Sequence, residues 1–255
     1  MFNQNSGSKK LLSLITLNIW GGRILTPLLD FIKSYQDTDI FCFQEVYSQA
    51  SQKAINENNG SICLDIQEKI VELLPNHRAY FRPIVNGGHG LSTFVHQNLK
   101  VFEEGEHPIY TNTSYSGQGP SHSRILQWTK IYTGIRYLTI INAHGLWNGK
   151  GKTDSLARIL QSKRIRSFTN SSNNPTILCG DFNLMPNTKS IEILTENVQD
   201  FIKRDNIIST RSSFYTKSER YADYIFGTKD IEALEFKVFY DEVSDHLPLY
   251  IKFQC

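Results

Sequence analysis

The chain has 255 residues, 40% of them hydrophobic and 20% charged, which is ordinary globular usage and enough length to bury a core without disulfides or structural metals. Twenty-seven basic against 25 acidic residues leave a formal charge of +2, which neither marks a nucleic-acid binder nor excludes one, so the substrate has to be argued from a site. No apolar run approaches the length of a membrane span. Lys9-Lys10 precede an apolar run over 11–19 that is too short for a signal peptide and lacks its cleavage pattern; it predicts a first core strand. Helical spacing over 27–35 is followed by a strand over 40–43, a polar loop over 47–61 and a helix over 64–74. Gly-Gly-His-Gly at 87–90 permits a tight turn ahead of a strand over 91–95, and a lone glycine-rich stretch is weak as a phosphate loop. The long polar loop over 110–123 either shapes a binding site or is a surface excursion. Strands over 125–132 and 137–142 flank the turn at Tyr132-Thr133-Gly134. A helix over 153–168 is predicted with Thr153 or Asp154 as its cap and with Arg158, Lys163, Arg164 and Arg166 on a solvated face. A strand over 176–179, a helix over 189–194 and strands over 224–226 and 247–253 complete the chain. Hairpins mixed with strand–helix–strand units argue for mixed sheets with helices outside them. Cys42, Cys63, Cys179 and Cys255 have no metal-site spacing; Cys42 and Cys179 lie in apolar runs, as buried free thiols would, which suits a reducing compartment and a cytoplasmic location.

Four segments end an apolar run with amide, acid or histidine residues: Leu17-Asn18-Ile19-Trp20, Phe43-Gln44-Glu45-Val46, Cys179-Gly180-Asp181-Phe182-Asn183 and Ser244-Asp245-His246-Leu247. Asn142-Ala143-His144 closes another strand and Asp223 opens the next. A carboxylate beside a core strand is costly unless it is paired or binds a metal. Alone, Glu45 is a strand-end glutamate and Gly-Asp-x-Asn an ordinary turn. Together they point to strand ends converging on one pocket.

Taken in order from residue 18 to 246, Asn18, Gln44-Glu45, Asn142-x-His144, Gly180-Asp181-Phe182-Asn183, Asp223-Tyr224-Ile225 and Ser244-Asp245-His246 resemble the endonuclease/exonuclease/phosphatase superfamily, the DNase I-like fold. The resemblance implies one domain over 1–255, with 1–10 flexible. The implied architecture is α/β (α+β): a four-layer sandwich of two mixed sheets packed face to face with helices on the outer sides. It implies a phosphate ester hydrolysed by an activated water with Mg²⁺ or Mn²⁺ as cofactor, a hard cation that carboxylate oxygens bind. Glu45 is the principal metal ligand in that scheme, with Asn18 and Asp245 beside it. Asp181 orients or deprotonates the water and Asn183 holds that water or a phosphate oxygen. His246 contacts the phosphate, with Asp223 fixing its ring. His144 supplies a second phosphate contact or a proton for the leaving group. Asn142 is an orienting, substrate-binding amide. His77, His89, His96, His107 and His122 match no motif and are expected at surface or loop positions.

Trp147-x-Gly-x-Gly-Lys and Thr210-Arg211-Ser212 are similar to compact bacterial members with unassigned substrates. Trp147 either stacks on a base or sugar, with Lys150 and Lys152 on a flanking phosphate, or sits half-buried in a flexible loop. A nucleic-acid or nucleotide phosphodiester is the expected substrate. A phosphomonoester such as an inositol phosphate, a lipid phosphodiester, and a non-catalytic binding module on the same fold are the alternatives. No protein partner is expected, and the chain is expected to be a monomer.

Overall fold

The computed structural model describes residues 9–50, 61–85, 88–116 and 119–255; Gly87, most of the 47–61 loop, two residues of the 110–123 loop and the larger part of the expected flexible start lie outside them. In chain order the elements are β1 (Leu11–Asn18), α1 (Leu25–Ser34), β2 (Ile40–Tyr47), α2 (Ile66–Leu73), β3 (His77–Val85), β4 (His89–His96), β5 (Lys100–Tyr110), β6 (Arg124–Tyr132) and β7 (Tyr137–His144). Then follow α3 (Leu156–Ser171), β8 (Thr176–Asp181), α4 (Lys189–Leu194), β9 (Val198–Asp200), α5 (Phe201–Arg204), β10 (Asp223–Thr228), β11 (Glu232–Val238) and β12 (Leu249–Gln254).

β1 and β2 are apolar along most of their length, the pattern of strands covered on both faces, and they pair in parallel with Asn18 opposite Gln44. β7 and β8 do the same in the second sheet, with His144 opposite Asp181. Among the described residues each sheet has six strands, in the orders β11-β12-β1-β2-β4-β3 and β5-β6-β7-β8-β10-β9, and the parallel pair is central in both. Parallel neighbours need a crossover, supplied by α1 in one sheet and α3 in the other. Leu12, Leu14 and Cys42 of the first sheet pack with Ile140, Leu178 and Cys179 of the second, all at 3% exposure or less. On the other face of the first sheet, Ile15, Leu17, Phe41 and Phe43 pack with Leu28, Phe31 and Ile32 of α1 and Ile66 and Ile70 of α2. Each of these side chains contributes about 1.5–3 kcal/mol by leaving water. Cys42 and Cys179 are buried free thiols. Among the described residues no helix is long and apolar enough to cross a membrane.

The four strands that the hydrophobic pattern missed, β3, β5, β9 and β11, are the four sheet edges. Edge strands carry charge and proline as a guard against further pairing, and β5, with Glu103, Glu104, Glu106 and Pro108, shows why periodicity failed there. At α3 the cap is Ser155, whose side chain accepts from Arg158 N, in place of the predicted Thr153 or Asp154. Asp154 instead accepts from the backbone of Lys189 and Ser190 (2.8 and 2.9 Å) at the start of α4, where a carboxylate suits the exposed N–H groups. Arg158 is not on a solvated face: it is 1% exposed, and its guanidinium donates to Leu146 O (3.1 Å) and Thr153 O (2.6 Å), so tertiary contacts with the preceding loop override its helical spacing. His77 is likewise buried, with Nε2 against Thr38 O at 2.7 Å.

Polar groups tie the two sheets where they face each other. Gln44 Nε2 donates to Asn142 Oδ1 (2.8 Å), and Asn142 Nδ2 donates back to Phe43 O (3.1 Å) and Ser92 O (3.3 Å). Thr93 and Gln127 form a second tie at 2.8 Å. Asn142→Ala removes three buried hydrogen bonds across the sheets, with Gln44 Nε2, Phe43 O and Ser92 O, so urea unfolding should show a loss of about 1–3 kcal/mol. The loss should be the same with and without a chelator.

Candidate active site

The site lies where the parallel pairs of both sheets end. Glu45 interrupts the β2–β4 register between Gln44 and Val46, and it adopts φ 57°, a left-handed conformation that costs on the order of 1 kcal/mol for a residue with a Cβ. The bulge brings its carboxylate against the amide of Asn18: Asn18 Nδ2 donates to Glu45 Oε1 (3.1 Å) and to Asp181 Oδ2 (3.0 Å), while Trp20 N holds Asn18 Oδ1 at 3.0 Å. One amide thus bridges carboxylates from two sheets.

Register places the next three groups in a row. Asp181 ends β8 with His144 opposite it on β7 and Asp223 opposite it on β10. Gly180 (φ 131°) is required beside it, since a Cβ there would sit 2.0 Å from Ala143 O. Asp181 Oδ1 accepts from Asn183 N (2.8 Å), an Asx turn that stabilises the positive φ of 54° at Asn183. His246 reaches in from the turn before β12. Its Nδ1 meets both Asp223 oxygens (2.7 and 2.8 Å), and its Nε2 faces Asp181 Oδ2 and Asp245 Oδ1, each at 3.7 Å. Thr210 Oγ1 holds the Asp223 carboxylate at 2.9 Å, and Arg211 Nη1 holds Asp245 Oδ2 at 2.9 Å.

The two histidines are set in opposite ways. Asp223 can only accept, so His246 Nδ1 carries a proton. Burial and Arg211 push the His246 pKa down, but Asp223, Asp245 and Asp181 outweigh them and leave it above the ordinary value. At His144 the partner of Nδ1 is Arg124 Nη1 (3.2 Å), and a guanidinium can only donate. Nδ1 therefore accepts and the ring proton sits on Nε2, 3.8 Å from Glu45 Oε1 and 3.6 Å from Asp181 Oδ2. Burial and the Arg124 charge hold His144 well below the usual histidine range. Burial pushes the Asp181 carboxyl up, yet His246, His144, Lys152 and Arg211 together bring it below the usual carboxylate range. Burial and Asp245 raise Glu45.

The structure therefore gathers Asn18, Glu45, His144, Asp181, Asn183, Asp223, Asp245 and His246 at one place. It does not bring Asn142 there: that amide is 0% exposed and spends its donors and its acceptor on the cross-sheet tie. Trp147 is half-buried in the loop after β7, with Lys217 Nζ 4.7 Å above its ring, so one face is already covered. Sequence reasoning did not identify Arg124, His89 and His122 as neighbours of the centre, and Lys152, expected on a flanking phosphate or in a flexible loop, is instead buried with Nζ 3.4 Å from Asn183 Oδ1. His89 and His122 are 5.9 Å apart by ring centroid, His89 is 6.5 Å from His144, and burial with neighbouring positive charge lowers them to about 3 and about 4. None of these four ends an apolar run in a recognisable motif, so only the packing of β4, β6 and the loops reveals them.

A hard divalent cation fits the Glu45 side. Asp245 Oδ1 is buried with no hydrogen-bond partner and Glu45 offers a second carboxylate, whereas Asn18, expected beside them as a ligand, turns its NH₂ to Glu45 and Asp181 and gives its oxygen to Trp20 N, so it orients the carboxylates instead. Asp181, Asp223 and His246 also place ligand atoms within 4.8 Å of one another. In that trio, however, His246 Nδ1 and the Asp223 oxygens already bind each other, as an acid–histidine pair does.

The sequence profile of the Endonuclease/Exonuclease/phosphatase family matches residues 15–246. An endonuclease/exonuclease/phosphatase family protein from Bacteroides thetaiotaomicron superposes with a TM-score of 0.75 at 18% identity, over 97% of this chain and 98% of that one. A mannosyl-6-phosphatase from the same organism gives 0.69 at 18% identity, over 95% and 99%. ANGEL2, a 2′,3′-cyclic phosphatase, gives 0.73 at 14% identity, over 96% and 95%. At these identities the likeness establishes the fold. No curated protein matches the chain.

Because the folded His246 pKa lies above its ordinary 6.5, the stability that Asp223 lends it is fully present below that value and is lost as pH rises through the folded value. In chelator, the unfolding free energy of wild type over His246→Asn should therefore be larger at about pH 6 than at about pH 9.

Proposed function

The chain belongs to the endonuclease/exonuclease/phosphatase family, and from that premise we propose that it is a divalent-metal-dependent phosphoesterase that hydrolyses its substrate by direct attack of an activated water. The observation that carries the proposal is the environment of Asp181, a carboxylate 1% exposed yet held ionised among Asn18, Asn183, His144 and His246. In this reading Asp181 orients the attacking water and takes its proton, with Asn183 beside it as the second holder of water or phosphate oxygen. His246, with Nδ1 fixed by Asp223, presents Nε2 to the phosphoryl group. His144 presents an Nε2–H as a second hydrogen-bond donor, a role its Arg124 contact favours over proton delivery. Glu45 and Asp245 would hold Mg²⁺ or Mn²⁺, with Asn18 steadying the Glu45 carboxylate through its NH₂, and the ion when bound supplies charge neutralisation for phosphoryl and leaving-group oxygens.

For the substrate we propose a phosphodiester of the nucleic-acid or nucleotide kind. Supporting it are the half-buried Trp147 and exposed Lys150 in the loop that begins at His144, and the 2′,3′-cyclic phosphatase among the structural neighbours. A second reading, a phosphomonoester, is favoured by one observation: Arg124, Lys152 and Arg211 are three buried cations around the centre, which would suit a dianionic phosphate. The mannosyl-6-phosphatase neighbour is in line with it. With the reading go a single domain, because Asn18 and His246 belong to one site, and a reducing, cytoplasmic setting that suits four free cysteines.

Assay of the purified chain with Mg²⁺ or Mn²⁺ against DNA, RNA, cyclic and open mononucleotides, inositol phosphates and sphingomyelin tests this. Activity should vanish in chelator, and Asp181→Asn should lower kcat/KM by about 10²- to 10⁴-fold. Release of inorganic phosphate would select the monoester reading, and two organic fragments the diester. Absence of both ester hydrolysis and metal binding would sink the proposal.

A further inference from the structure

Among the described residues Lys152 is the one buried lysine, 2% exposed beside the reacting centre. A buried ammonium is costly, so its position calls for a reason. Its backbone is fixed: Met185 N donates to Lys152 O (2.9 Å), and the buried Arg158 ties Leu146 O and Thr153 O at the two ends of the segment that carries it. The side chain is fixed as well, with Nζ 5.3 Å from the Tyr215 ring, whose face Arg211 also covers at 4.1 Å. Lys217, two residues after Tyr215, reaches back over Trp147 at 4.7 Å, so the two loops clasp each other by reciprocal cation–ring contacts.

What the ammonium reaches is Asn183 Oδ1, at 3.4 Å. Lysine has donors only, so the Asn183 amide must turn its oxygen to Lys152 and its NH₂ towards Asp181 Oδ2 (3.4 Å) and Gly145 O (3.3 Å). The flipped amide would set NH₂ against ammonium and oxygen against carboxylate, two repulsions in place of two attractions. We propose that Lys152 is a positioning residue, which locks the orientation of the Asn183 amide and so presents its NH₂ to the Asp181 side of the centre.

This rests on the hydrolytic reading above, and the test separates the two. Lys152→Met keeps length and apolar volume and removes the donor. With the best substrate of the panel, kcat should fall about 10- to 100-fold, the scale of a misplaced catalytic group, with KM within about twofold. The melting temperature should hold, because the cost of burying the ammonium is removed together with its attraction to Asp181. In an Asn183→Ala background the same substitution should change kcat less than about twofold, since residues acting as a unit are not additive. In the metal-free chain the Asn183 side-chain amide NMR signals, assigned by their loss in Asn183→Ala, should shift on Lys152→Met. A rise in KM at constant kcat, a fall in melting temperature, equal losses in both backgrounds, or unmoved Asn183 signals would each overturn the proposal. A wild-type chain that cleaves nothing and binds neither metal sinks the hydrolytic reading instead, and whenever nothing is cleaved the Asn183 signals still decide this one.

Discussion

Burial of an ionised carboxylate at the end of β8 is the constraint on which the site depends. Asp181 is shut off from water, and a bare carboxylate in that position would cost several kcal/mol. The fold answers with donors and positive groups from separate parts of the chain: Asn18 from β1, His144 from β7, Asn183 from the following turn, His246 from the turn before β12 and Lys152 from the loop after β7. No local segment can gather these, so the folded chain and the competent site form together.

The surrounding irregularities follow from that requirement. Glu45 leaves the β2 register at a bulge, Gly180 gives Ala143 O room, and Asn183 takes a positive φ steadied by Asp181 itself. Each is a local cost that a regular strand would avoid, and each turns a polar group into the cleft. Just behind them, Gln44 and Asn142 are equally polar and equally buried, but satisfied across the sheet interface, which makes them structural. Sequence neighbours with similar chemistry have thus been divided between cleft and core by the direction in which the pleat points them.

The charge pattern divides the histidines in the same way. Opposite carboxylate Asp223, His246 is held with an elevated pKa; against guanidinium Arg124, His144 is held with a depressed one. Two imidazoles with both Nε2 atoms within 4 Å of Asp181 therefore differ in charge tendency because of the atom behind each ring.

The sequence by itself determined the central strands and the site motifs. Buried strands such as β1, β2 and β8 must be continuously apolar, and a polar residue ending such a run, as Asn18 and Asp181 do, stands out against it. Glu45, His144, Asp223 and His246 were legible for the same reason. The sheet edges were not, because β5 and β11 face water and carry charge that erases the alternation. Nor were the roles of Asn142, Arg158 and Lys152, whose composition suits a cleft or a surface equally well. Only tertiary structure decided them, because whether a polar side chain meets solvent, a cleft or a buried partner depends on which distant strand or loop lies opposite, and no local spacing encodes that.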